Sequence, residues 1–221
     1  VGIGANNDIV KIAEEILTKD NTVETFPPQS GLPLDGQRIL TTPEHWAYLK
    51  IADGCSNRCT YCTIPSIRGD MRSRKIENII DEAKQLSEVG VKELIVIAQD
   101  TTSYGLDIYG KLMLPELLNQ LCEIDGIEWI RLLYCYPDRI TDELIETIKN
   151  QEKICNYIDL PLQHADDKIL KAMNRRGDSK LIRSVIEKLR SEIPDVVIRT
   201  TFIVGFPGEG DEEFEHLAEF V

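Results

Sequence analysis

From Trp46 onward the apolar positions keep two alternating rhythms. Short apolar runs rich in β-branched and aromatic residues, at 46–51, 93–98, 129–134, 157–162 and 196–204, predict strands buried on both faces. Between them apolar residues recur at helical spacing over 76–89, 114–124, 142–149, 168–173, 180–192 and 211–221, which predicts amphipathic helices. The punctuation agrees. Gly90 follows the first of these helices as a terminating glycine, and Thr141-Asp142-Glu143 opens the third with a capping hydroxyl and an acidic first turn. Repeated strand–helix units imply an α/β fold with a parallel sheet and helices outside it. No G-x-G-x-x-G follows the first strand, so a doubly wound dinucleotide fold lacks its fingerprint. The expectation is a partial (β/α)6 barrel of parallel strands that stops before its sixth strand, with its chemistry at the C-terminal strand ends.

Residues 1–45 are of another kind. Ile9, Ile12, Ile16 and Leu17 make one helical pattern, and 21–45, with Phe26-Pro27-Pro28 and Gly31-Leu32-Pro33, reads as a linker. Two units are therefore expected, 1–45 and 46–221. No apolar run approaches the roughly 18 residues of a membrane helix, and no signal peptide pattern opens the chain, so a cytoplasmic protein without a membrane partner is expected. Twenty-five Lys and Arg against 38 Asp and Glu leave a net charge of −13. That balance argues against a surface that coats nucleic acid, DNA included, and fits a basic partner better.

Six cysteines could form disulfides, but three are packed together while Cys122, Cys135 and Cys155 stand singly in apolar segments. One metal site and three core thiols in a reducing compartment explain this distribution. Cys55, Cys59 and Cys62 form C-x3-C-x2-C just after the first strand. Three thiolates in one tight loop suit three corners of a cubane [4Fe-4S] cluster and leave the fourth iron open. An open iron can chelate the amino and carboxylate groups of S-adenosylmethionine. A structural zinc site remains the alternative, but it needs a fourth ligand, and His45 lies at the other end of the strand.

The stretch "KIADGCSNRCTYCTIPSIRGDMRSR" at 50–74 resembles the cluster loop of the radical S-adenosylmethionine methylthiotransferases. So do "AQDTTSYGLDIYG" at 98–110, "IRLLYCYPDRITDELI" at 130–145, "IDLPLQHADDKILKAMNRR" at 158–176 and "TTFIVGFPGE" at 200–209. The tRNA-modifying branch of that family typically has a GQNVN-like element where this chain has Ala98-Gln99-Asp100-Thr101-Thr102. The resemblance therefore implies the branch that adds a methylthio group to the β-carbon of an aspartate in a small-subunit ribosomal protein. It implies a radical S-adenosylmethionine barrel, a [4Fe-4S] cluster on Cys55, Cys59 and Cys62, and a reductant such as flavodoxin or ferredoxin. It also implies a second [4Fe-4S] cluster in an N-terminal domain of which residues 1–45, cysteine-free, would be the tail.

Further roles are implied residue by residue. Tyr61 would lie beside the adenine, unless it only packs its loop. Gln99 and Asp100 would hold the methionine amino group, with a helix cap as the alternative for Asp100. Gln163 and His164 would face ribose or substrate, or His164 would cap the helix beginning near Asp166. Gly205 would let the backbone approach the nucleoside, or simply make a turn. Arg58, Arg68, Arg72, Arg74 and Lys75 form a basic run that either steers an anion to the cluster or is a solvated face. Cys122, Cys135 and Cys155 read most simply as core residues, and Cys135, near the end of the third strand, is the one whose distance from the site is worth checking.

Overall fold

The computed structural model describes residues 1–19, 22–27, 34–36 and 38–221. Pro28, Gly31, Leu32 and Pro33 of the expected linker lie outside the described residues. All five expected strands form, as β1 (Trp46–Lys50), β4 (Glu93–Ile97), β5 (Trp129–Leu132), β6 (Ile154–Asp159) and β7 (Val197–Arg199). They make one parallel sheet in the order β1-β4-β5-β6-β7, so each new strand joins the edge left by the last. The sheet is open, with β1 and β7 at its edges. A small antiparallel pair, β2 (Ala52–Asp53) with β3 (Arg72–Ser73), was not legible in the pattern because each strand spans only two residues.

The crossovers are α3 (Ile76–Glu88) between β1 and β4, α5 (Leu114–Cys122) between β4 and β5, and α6 (Asp142–Asn150) between β5 and β6. Between β6 and β7 run α7 (Asp167–Ala172) and α8 (Ser179–Glu192). Short helices α2 (Ile64–Arg68) and α4 (Leu106–Tyr109) lie in the loops after β2 and β4, and α9 (Asp211–Phe220) ends the chain. Capping follows the expected chemistry, since Thr141 accepts from the Leu144 amide at the start of α6.

Burial on both strand faces was the expectation, and the strands instead alternate. Ala47, Leu49, Leu94, Val96, Ile130 and Leu132 are buried and join Ile79, Leu117 and Ile145 of the helices in one core. The other face carries Tyr48, Trp129 and Arg131, with Arg131 paired to Glu93 at 2.7 Å. In an open sheet this inner face is not sealed, and its upper end is where Lys50 and Ile97, register partners, meet a cavity. The N-terminal helix α1 (Ile9–Lys19) is poorly covered: Ile12 is its buried apolar residue, while Ile9, Ile16 and Leu17 are exposed.

Candidate active site at the cysteine loop

The chain leaves β1 and turns sharply at Gly54, whose φ is +78°. A Cβ there would stand 2.3 Å from the Asp70 carbonyl oxygen, so only glycine fits. The loop that follows is clamped on two sides. On one side the Asn57 side chain donates to Asp100 Oδ2 at 2.7 Å and accepts from Arg139 at 3.1 Å. On the other, the Thr60 amide and hydroxyl donate to the Met173 and Ala172 carbonyls, and the Asn174 side chain donates to the Arg58 carbonyl at 2.9 Å. The cysteines are thus carried on a fixed loop between the ends of β4, β5 and α7.

Cys55, Cys59 and Cys62 open onto one cavity of about 440 Å³, within the ordinary range of ligand pockets. Tyr61, Gln99 and Gln163 line the same cavity, as does Cys135, which the sequence read first as a core residue. Burial pushes the Cys135 thiol up to about 12, and that of Cys122 to about 11, which suits inert core thiols. Among the described residues no three of His, Cys, Asp and Glu gather closely enough to hold a single metal ion.

Three expectations need correction. Asp100 does not face the cavity. Its carboxylate caps the 3-10 turn Thr101–Ser103 by accepting from the Ser103 amide, takes hydroxyl donors from Thr102 and Ser103, and pairs with Arg139 at 2.9 Å. With both oxygens saturated it has nothing left for an ammonium. Gly205 is not among the cavity residues; its φ of +75° explains the glycine as a turn residue. His164 is fully buried behind the cavity. Its Nδ1 accepts from the Asp166 amide, so Nε2 carries the proton and stands 3.5 Å from Glu209 Oε1. The cap of α7 is Asp166 itself.

Three members of the basic run carry carboxylate partners, and Arg58 also lines the cavity. Arg58 pairs with Asp70, Arg68 with Asp53, and Arg74 is buried between Asp35 and Glu82. The sequence reading missed Tyr136 and Arg175, although both lie inside the stretches quoted for the resemblance. The Tyr136 hydroxyl is 2.6 Å from Cys59 Sγ, and the Arg175 guanidinium lies 3.8 Å from the centre of the Tyr136 ring.

The donor set fits an iron–sulfur cluster and a polar nucleoside. Three thiols are the ligands such a cluster takes. No carboxylate lines the cavity, although Lys50, Arg58 and Arg175 do. Gln99 Oε1 is buried there without a hydrogen-bond partner, the kind of atom a bound ligand satisfies.

The family model of the radical SAM superfamily matches residues 49–221. The ribosomal protein uS12 methylthiotransferase RimO of Thermoanaerobacter sp. (strain X514) is 57% identical over 222 residues, covering 100% of this chain and 50% of the relative. The enzyme of the same name from Clostridium kluyveri is 60% identical over 219 residues, covering 97% of this chain and 49% of the relative. The chain spans about half the length of the curated relatives it matches. Among solved structures, the radical S-adenosylmethionine methyltransferase TsrM from Kitasatospora setae, with cobalamin and a [4Fe-4S] cluster bound, superposes with a TM-score of 0.63 at 15% identity, covering 79% of this chain and 34% of that one. The cobalamin-dependent S-adenosylmethionine radical enzyme OxsB gives 0.63 at 14%, covering 78% and 26%. At these identities the likeness is one of fold.

Proposed function

The chain belongs to the radical SAM superfamily, and from that premise we propose that it is the S-adenosylmethionine-cleaving core of a methylthiotransferase acting on an aspartate of ribosomal protein uS12. The observation that carries the reading is the shared cavity of Cys55, Cys59 and Cys62, with cations and no carboxylate in its wall. The substrate assignment is supported by relatives 57% and 60% identical that bear that name.

In this reading the three cysteines hold a [4Fe-4S] cluster. When bound, the cluster supplies the electron that breaks a carbon–sulfur bond of S-adenosylmethionine, and the protein's task is to bind and orient. Tyr61, one third exposed beside the ligands, would offer its ring to the adenine. Gln99 would take a polar hydrogen into its unsatisfied Oε1, and Gln163, from the loop after β6, would meet the ribose or the substrate. Residues 46–221 would form this core. Residues 1–45 would be the tail of a domain carrying a second [4Fe-4S] cluster, a reading favoured by the sparse burial of α1. The electron would come from a low-potential donor such as flavodoxin or ferredoxin. Among the described residues no helix is long and apolar enough to cross a membrane.

The test is anaerobic reconstitution with iron and sulfide, reduction, and measurement of 5′-deoxyadenosine released from S-adenosylmethionine. Release by the unaltered chain and none by Cys59→Ala is the expected result; no release by either overturns the reading. Methylthio incorporation into a uS12 peptide against bulk tRNA, measured with the enzyme at its relatives' full length, decides the substrate. The net charge of −13 favours the protein.

A further inference from the structure

Arg175 departs from the way this protein otherwise buries its cations. Arg74 is buried against Asp35 and Glu82, and Arg139 against Asp100. Arg175 is equally buried, 8% exposed, and among the described residues no carboxylate pairs with it. Its guanidinium donates to the Pro161 carbonyl at 2.5 Å and lies over the Tyr136 ring, 3.8 Å from its centre. It lines the same cavity as Cys59. A buried cation without a counter-charge is costly, so the missing negative charge belongs in the cavity that Arg175 lines.

Tyr136 stands between that cation and a proposed ligand. Its ring is buried, its hydroxyl is 2.6 Å from Cys59 Sγ, and its backbone amide is tied to Thr102 Oγ1 at 3.0 Å. A cation on the face of a phenol draws electron density from it and makes the hydroxyl a stronger donor. A thiolate can only accept from that hydroxyl, so the direction of the hydrogen bond is set once Cys59 carries iron. The three groups come from the loops after β1, β5 and α7, and the Cys59 loop is tied to the stretch that carries Arg175 by the Thr60 and Asn174 hydrogen bonds.

Resting on the cluster assignment made above, we propose that Tyr136 and Arg175 are positioning residues that make the cluster easier to reduce. Reduction adds one electron from an external low-potential flavin or iron–sulfur donor to the cluster, with no bond of the protein made or broken. The added negative charge rests partly on the ligand sulfurs. A donated O–H and a nearby guanidinium stabilise the reduced form more than the oxidised one, and the midpoint potential rises.

The experiment is an EPR-monitored redox titration of the reconstituted full chain, without S-adenosylmethionine, alongside iron content and thermal midpoint. Tyr136→Phe keeps the ring and removes the donor, and should lower the reduction equilibrium constant about tenfold, about 59 mV to more negative potential. Arg175→Gln should lower it at least as far, and Arg175→Lys should restore most of the loss. A purely packing role would alter the thermal midpoint and leave the potential where it was. Should Arg175→Gln lose its iron, Tyr136→Phe decides alone. Unchanged potentials in variants that retain their iron overturn the inference and leave the cluster assignment standing. Failure of the unaltered chain to take up any cluster overturns both.

Discussion

The cysteine loop divides two regions that treat charge in opposite ways. On the side of Asn57 and Arg139 the Asp100 carboxylate is fully matched, receiving Asn57, Thr102, Ser103 and Arg139 at once. On the cavity side, among the described residues, Gln99 Oε1 has no partner and Arg175 has no carboxylate. Gln99 and Asp100 are neighbours in the chain, yet they fall on opposite sides of this divide. The difference teaches that a saturated buried network is scaffold, while unbalanced groups around a cavity await a ligand.

The largest expected effect tests the cavity side. Cys59→Ala should abolish iron uptake on anaerobic reconstitution, because a cubane left with two protein thiolates is poorly held. Cys122→Ala, in the core, should retain it. The reverse pattern in an iron assay would place the ligands elsewhere.

Next comes the scaffold side. Asp100→Ala leaves Arg139 buried without its carboxylate, and should cost about 3–5 kcal/mol of stability. The readout is the urea midpoint of the protein before iron is added. A midpoint close to that of the unaltered chain would dissolve the contrast between the two regions.

Gln99→Ala should do the opposite of Asp100→Ala. Stability should change by less than about 1 kcal/mol, while S-adenosylmethionine binding to the reconstituted protein weakens roughly two- to tenfold, the loss of one neutral hydrogen bond. Undiminished affinity in an anaerobic titration would return Gln99 to the scaffold.

The smallest effect lies at α9, where His216 Nδ1 meets Asp166 Oδ2 at 2.8 Å. Asp166, helped by Glu212 and Glu219, raises the pKa of His216 above its ordinary 6.5. A raised histidine stabilises fully below 6.5, and the contribution fades as pH rises through the folded value. Hydrogen-exchange protection of α9 should therefore decline slightly on the alkaline side, and His216→Ala should remove that decline. A pH-independent profile in the unaltered chain would dismiss the tether.

Much of this was written in the local pattern. A short, continuous β-branched and apolar run such as Glu93–Ile97 signals a strand, and α3 buries Ile76, Ile79, Ala83 and Leu86 at helical spacing. The cysteine triplet was legible for the same reason, since its members share one loop. Strand ends were less so: the run through 157–162 yields its ladder at Asp159, and Gln163 returns to the sheet only through an isolated bridge to Phe202.

The order of the elements and the cysteine loop were thus determined by sequence alone, because each depends on residues close together in the chain. What only the tertiary structure decided was orientation. Whether Gln99 or Asp100 faces the cavity depends on how the backbone leaves β4 toward Arg139, 39 residues away from Asp100. Tyr136 lies 77 residues from the cysteine it touches, and Arg175 reaches Tyr136 from a third segment. Contacts of that range have no local signature, since packing of the sheet brings their backbones together, and the charge each side chain needs is supplied from another strand end.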